Sequence, residues 1–213
     1  VIGGDVPDQR VARHLPAGAE VICADSGLDH ADALGLAPSV VVGDLDSVTP
    51  AALRRAVEAG VPVVAHPADK DATDTELALQ LAVAHGHDHI VVVSGGGGRL
   101  DHALGALLAL AHVDLAPTSV LEAWIGPARV RVLHGPASAT VTAQPGATVS
   151  LVPLAGPARA VRTTGLRWAL DGEDLTAGST RGLSNELTAP LATVELVDGV
   201  LAIIVPDAVE DPA

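Results

Sequence analysis

His89-Ile90-Val91-Val92-Val93-Ser94, then Gly95-Gly96-Gly97-Gly98, then Arg99-Leu100-Asp101-His102 is the stretch that decides the fold. A β-branched run meets a glycine turn, and an Ala/Leu-rich segment follows to His112. This reads as strand, loop, helix. The same alternation recurs upstream. Val21–Ala24, Ser39–Val42 and Val61–Ala65 read as strands, with His89–Val93 as the fourth. Thr49–Ala59 and Asp74–His85 read as helices, alongside Leu100–His112. Thr49 before Pro50 is a helix start. Thr73-Asp74-Thr75-Glu76 has capping-box spacing, with Leu77, Leu81 and Ala84 expected on the buried face. Alternating strands and helices predict an α/β domain with a mostly parallel sheet, over residues 1–125.

Pro117–Pro127 reads as a boundary, and the helical period stops there. Short strands punctuated by Gly and Pro follow: Arg129–Leu133, Thr140–Thr142, Thr148–Val152, Ala160–Thr163, Thr193–Val197 and Val200–Val205. Residues 126–213 are therefore expected to form an all-β, sandwich-like domain. Asp198-Gly199 between two apolar runs predicts a hairpin.

Composition narrows the function. Lys plus Arg is 12 and Asp plus Glu is 26 in 213 residues, a net charge of −14. Such a chain is a poor partner for nucleic acid or anionic lipid. Phe and Tyr are absent and there are two Trp, which removes a base-stacking platform. The single cysteine, Cys23, sits in an apolar run and reads as a packing residue. No run of eighteen apolar residues is present, so no membrane helix is expected, and a cytoplasmic protein is the default. Apart from His102, read as structural, the histidines are scattered and show no metal-ligand spacing.

In an open parallel sheet, ligands sit beyond the carboxyl ends of the strands. Asp25-Ser26-Gly27 follows the first strand and Gly43-Asp44-Leu45-Asp46-Ser47 the second. Asp69-Lys70-Asp71-Ala72-Thr73-Asp74 follows the third, and the glycine run the fourth. Carboxylates therefore gather on one rim. On an extended segment Asp44 and Asp46 point the same way, a pair suited to Mg²⁺; an Asp-rich helix-capping turn is the competing reading. Lys70 opposes the dipole at a helix start, which a phosphate would explain. The glycine run matches neither a Walker A loop nor the dinucleotide fingerprint, but its amides and Arg99 suit a phosphate. The residues alone predict a Mg²⁺-dependent enzyme acting on a polyphosphate without a P-loop.

At these loops the chain resembles the thiamine pyrophosphokinase family. The resemblance lies in Ala24-Asp25-Ser26-Gly27, Gly43-Asp44-Leu45-Asp46-Ser47, Asp69-Lys70-Asp71-Ala72-Thr73-Asp74 and Gly97-Gly98-Arg99-Leu100-Asp101-His102. It continues in Gly165-Leu166-Arg167-Trp168, Gly178 and Ser184-Asn185-Glu186. It implies a homodimer that takes ATP and thiamine to AMP and thiamine diphosphate. It implies Mg²⁺ at Asp44, Asp46 and Asp74, with Asp71 nearby. Lys70, Thr73, Gly97, Gly98, Arg99 and Asp101 are implied to contact ATP or orient the reacting groups, with Asp25 near the reacting end. Trp168, Ser184 and Asn185 are implied to form the thiamine pocket, shared across the dimer. Without the resemblance, Trp168 reads as a sandwich core residue, and Trp124 reads as packing. The chain departs from the family at Leu45, Ala106, Ser26 and Asp29, none of which is an expected metal ligand. Competing expectations are a non-catalytic thiamine- or nucleotide-binding protein, and a Mg²⁺-dependent phosphoryl transferase with another acceptor.

Overall fold

Short apolar runs become strands, of which the first two are largely buried and the third is exposed. In the computed structural model, which describes residues 1–209, β1 (Ile22–Ala24), β2 (Val40–Gly43) and β3 (Val63–Ala65) form a parallel sheet in that order. β2 is buried throughout and Cys23 has no exposure. Burial pushes the Cys23 thiol up to about 11, as suits an inert packing residue. α1 (Gly27–Ala33) packs on β1 and α2 (Pro50–Glu58), and α3 (Asp74–Ala84) lies on β1 and β2. The hydroxyl caps form as expected, while Glu76 of the expected capping box instead accepts from Gln80 Nε2. Thr49 Oγ1 accepts from the Ala52 N–H at 3.3 Å, and Thr73 Oγ1 from the Glu76 N–H at 3.2 Å. Each such cap contributes about 1 kcal/mol.

The buried face of α3 differs from expectation. Ala78, Leu79 and Ala82 are buried, Leu77 and Leu81 are half-buried, and Ala84 is exposed. The helix is apolar on most sides, so its pattern does not choose a face. The small alanines let it lie close to the sheet. α1 had no sequence expectation, because Gly27 and two aspartates obscure its apolar stripe.

β4 (His89–Ser94) does not pair with the parallel sheet directly. Residues at the start of the chain lie between: the Ile2 N–H donates to the Val93 carbonyl, and the Ala24 N–H to the Val1 carbonyl, both at 2.9 Å. The glycine loop then leads into α4 (Leu100–Ala109), which stops short of His112.

The chain forms two compact units, residues 1–109 with 124–126, and residues 110–123 with the chain from 127 onward. In the second unit the stretch read as a boundary contains β5 (Val120–Ile125), whose last two residues and Gly126 belong with the first unit. There, within the first unit, the Gly126 N–H donates to the Ser94 carbonyl. The other strands are β6 (Ala128–His134), β7 (Ala137–Thr142), β8 (Thr148–Pro153), β9 (Ala158–Thr164), β10 (Asp171–Leu175), β11 (Asn185–Glu186), β12 (Leu191–Leu196) and β13 (Val200–Val205). One layer has the order β10-β9-β12-β7 and the other β11-β8-β13-β6-β5. Their inner faces meet at Val149, Leu151, Val161, Val194, Leu201 and Ile203, all 2% exposed or less. Asp198-Gly199 is not a hairpin. β12 pairs with β7 and β9, while β13 pairs with β6 and β8, so the turn carries the chain from one sheet to the other. The dipeptide specifies a reversal but not which sheet receives the next strand.

Glu122 on β5 is buried, and Oε1 accepts from Arg129 Nη2 at 2.8 Å and Arg131 Nη1 at 3.0 Å. Burial pushes its carboxyl up, but the two guanidiniums outweigh this and hold it below the ordinary 4.5. The folded state therefore binds this proton less tightly than the unfolded state. The ion pairs stabilise the fold above pH 4.5, and the contribution is lost as pH falls through the lowered folded value. Glu122→Gln is expected to cost about 1–3 kcal/mol at neutral pH, discounted because Arg129 is partly exposed. Melting curves should show the gap from the parent closing as pH falls below 4.5. A gap constant with pH would refute the ion-pair origin.

Candidate active site

The carboxyl ends of β1 and β2 and the start of α3 deliver Asp25, Asp44 and Asp74 to one point. Each offers a carboxylate oxygen within 4.8 Å of the others. Gly43 makes this possible: with φ +141°, a Cβ there would lie 3.0 Å from Asp74 Oδ1 and 3.4 Å from Asp25 Cβ. Any side chain would push the cluster apart. Asp25 and Leu45 hold left-handed φ angles of +49° and +66°. Such strain in L-residues costs on the order of 1 kcal/mol and clusters at functional sites.

Leu45 also changes the reason Asp44 and Asp46 lie together. The segment is not extended, so strand alternation does not aim them. Instead the chain turns at Leu45, and the Asp46 N–H donates to Asp44 Oδ1 at 3.3 Å. The neighbouring charge of Asp44, then that of Asp25, raises the Asp46 carboxyl above its ordinary value.

Lys70 Nζ lies 3.1 Å from Asp44 Oδ2 and 3.2 Å from Asp74 Oδ1, with its side chain mostly buried. The Asp74 contact is an ion pair without hydrogen-bond geometry. Burial works against the lysine charge, but the hydrogen bond to Asp44 and the attraction of both carboxylates prevail and raise its value. The same lysine hydrogen bond lowers Asp44. One cation thus offsets part of three converging charges. Asp25 Oδ2 accepts from Ser47 Oγ, while Asp25 Oδ1 is buried with no hydrogen-bond partner. Asp71 is exposed and outside this triplet.

The glycine loop shares a cleft with Thr75, the residue after Asp74. Gly96, Gly97 and Gly98 have φ of +70°, +62° and +66°, a succession that side-chain-bearing residues rarely adopt. Asp5, which sequence reading missed, lies against this loop. Its N–H donates to the Gly96 carbonyl at 2.7 Å, and a Cβ on Gly97 would meet Asp5 Oδ2 at 1.9 Å. The only sequence signal was Gly3-Gly4 ahead of it. Buried Ser94 braces the turn, donating to the Gly3 carbonyl and accepting from the Gly96 N–H. An open cleft of about 210 Å³ follows, lined by Ile2, Gly4, Thr75, Ser94, Arg99 and Ala106 among others. Arg99 forms a two-bond pair with Asp101, at 3.2 and 2.6 Å, and this holds the Asp101 carboxyl at about 2. Both side chains are exposed. Trp124 packs instead, 2% exposed and stacked on His14 at 4.6 Å.

In the second unit Trp168 is 48% exposed, so it is not a core residue. Asn185 clamps its backbone: Oδ1 accepts from the Trp168 N–H at 3.0 Å, and Nδ2 donates to its carbonyl at 2.7 Å. Asn185 is itself buried and is spent on this clamp. Ser184 has φ +55°, and its N–H donates to Ser150 Oγ. The Arg167 guanidinium lies 4.9 Å over the indole and pairs with Glu186 at 2.8 Å.

The first unit thus carries a carboxylate rim, one bridging lysine and a glycine loop, and the second unit carries an exposed indole. A family model described as the catalytic domain of thiamin pyrophosphokinase matches residues 13–120, and one described as its vitamin B1 binding domain matches residues 139–201. Thiamine pyrophosphokinase of Bacillus subtilis (strain 168) is 29% identical over 171 residues, covering 80% of this chain and 79% of that protein. A crystal structure of thiamine pyrophosphokinase from Bacillus subtilis superposes with TM-score 0.80 at 25% identity, covering 95% of each chain. One of thiamin pyrophosphokinase from Geobacillus thermodenitrificans gives 0.77 at 26%, over 95% of this chain and 94% of that one. The chain belongs to the thiamin pyrophosphokinase family.

Proposed function

We propose that this protein transfers the diphosphoryl group of ATP to the hydroxyl of thiamine, giving thiamine diphosphate and AMP. Within the family assignment, the carrying observation is the convergence of Asp25, Asp44 and Asp74 around Lys70. A non-catalytic binding protein has no need of such a concentration of charge.

The donor set suits Mg²⁺. Its ligands are hard carboxylate oxygens, and the buried Asp25 Oδ1 lacks any hydrogen bond. Asp25, Asp44 and Asp74 would hold the ion, with Asp46 beside Asp44 at its exposed edge, while Asp71 lies outside the triplet. When bound, the ion offsets polyphosphate charge.

Lys70 contacts a phosphate oxygen with its remaining donor capacity. The Gly97 and Gly98 amides and Arg99 receive further oxygens, with Thr73 at the start of α3. Asp101 orients Arg99. The adenosine end occupies the cleft, where Ala106 leaves an apolar wall. Trp168 receives the thiamine rings, Asn185 fixes the indole, and Ser184 borders the pocket. In the reaction the thiamine hydroxyl oxygen bonds to the β-phosphorus. The bond from that phosphorus to the α–β bridging oxygen breaks, AMP leaves with that oxygen, and the hydroxyl proton is released to water. Positioning and charge stabilisation supply the rate.

Leu100, Leu104 and Leu108 form an exposed stripe on one face of α4, at 72%, 51% and 54% exposure. We assign this stripe to a homodimer interface; light scattering should give twice the mass of one chain. Among the described residues no helix is long and apolar enough to cross a membrane, and we place the protein in the cytoplasm, where ATP is abundant.

The decisive assay incubates protein with ATP, Mg²⁺ and thiamine and resolves the products by chromatography. AMP and thiamine diphosphate should appear in step. ADP with thiamine monophosphate would overturn the diphosphoryl step. Bound thiamine without product would overturn catalysis.

A further inference from the structure

His85 and His87 close the end of α3 opposite Asp74, about 16 Å away along an 11-residue helix. Two backbone bonds close the turn that holds them. The His87 N–H donates to the Ala82 carbonyl and the Gly86 N–H to Val83, with Gly86 at φ +82°. These are the two bonds of a Schellman cap, which fixes both histidines on one rigid reversal. Glu20, just ahead of β1, reaches both. Its carboxylate accepts from His85 Nδ1 at 3.0 and 3.1 Å, and from His87 Nε2. The three groups offer ligand atoms within 4.8 Å of one another, and all three are accessible to solvent.

We propose that Glu20, His85 and His87 form a binding site for a divalent transition-metal ion of the Zn²⁺ class, separate from the acidic cluster. Two imidazole nitrogens and one carboxylate are the donors such ions favour, and the exposed face leaves positions for water. Mg²⁺ prefers oxygen donors, so the chemistry separates this site from the one at the other end of α3. On binding, each imidazole presents its inward nitrogen unprotonated, with its proton on the outer nitrogen or released. Spacing along the sequence did not show the site because the third ligand lies 65 residues from His85. The bound ion would tie the end of α3 to the segment entering β1, so it should stabilise the fold.

The test is equilibrium dialysis of the full chain against Zn²⁺, with Mg²⁺ in excess to hold the acidic cluster, together with melting curves. The parent should bind one Zn²⁺ per chain at this site and melt higher with Zn²⁺ present. His87→Ala and Glu20→Gln should each weaken that binding at least tenfold and abolish the rise in melting temperature. Circular dichroism without metal checks their folding, and His87→Gln replaces any variant that fails. Diphosphoryl transfer in Mg²⁺ should be unchanged. Zn²⁺ binding of equal affinity in parent and folded variants overturns the proposal, as does no binding by the parent. Loss of the bound Zn²⁺ on Asp44→Asn alone would place the ion in the acidic cluster and overturn it too.

Discussion

Asp44→Asn is expected to lower kcat by about 10²–10³-fold, the usual consequence of removing one group that stabilises charge in a transition state. Asp44 sits at the centre of the cluster, bound to Lys70 on one oxygen and to the Asp46 N–H on the other. The amide has the same shape and keeps one acceptor, so the fold should survive. It removes one negative charge from the proposed metal set and releases Lys70 to pair with Asp74 alone. Raising Mg²⁺ should recover part of the lost rate if the defect is in holding the ion. A kcat within twofold of the parent would remove Asp44 from the chemistry. Lost activity with a collapsed melting transition would make its role structural instead.

Trp168→Ala is expected to raise the KM for thiamine about 3- to 30-fold while leaving the KM for ATP nearly unchanged. A cation over an indole gains about 0.5–2 kcal/mol, and ring stacking adds to that. Arg167 covers one indole face, but Glu186 pairs with it, so its charge does not simply repel a thiazolium. Steady-state kinetics with each substrate varied in turn make the measurement. A rise confined to ATP would displace the acceptor pocket from this residue.

The α/β reading followed from strands whose runs are short and β-branched, and these landed within a residue or two. The caps at Thr49 and Thr73 were legible because a hydroxyl before an apolar period has few other uses. The bridging segment at Ile2 was not, since two residues carry no period. Asp198-Gly199 showed the opposite limit: a correct turn with the wrong partner, because pairing is decided by the whole sandwich. At the site, the aspartates were visible as residues after strands, yet their aim was not. The left-handed turn at Leu45 carries no compositional mark, and it orients Asp44 and Asp46. Asn185 was expected in the thiamine pocket; that it braces the Trp168 backbone depends on contacts across 17 positions.

The turn at Asp198-Gly199 has a consequence for assembly. β-sandwiches are slow to form because their facing residues are usually distant along the chain. Here Val194 and Leu196 lie on one sheet while Leu201 and Ile203 lie on the other, fewer than ten residues away. A Cβ on Gly199 would meet the Pro157 carbonyl oxygen at 2.4 Å, and one on Gly135 would meet Asp198 Cα at 2.7 Å, so three passes of the chain converge at this corner. The corner acts as a rivet. It lets opposing halves of the apolar interior meet early, and it couples the two sheets, so that β12 cannot slip by one residue without dragging β13 with it.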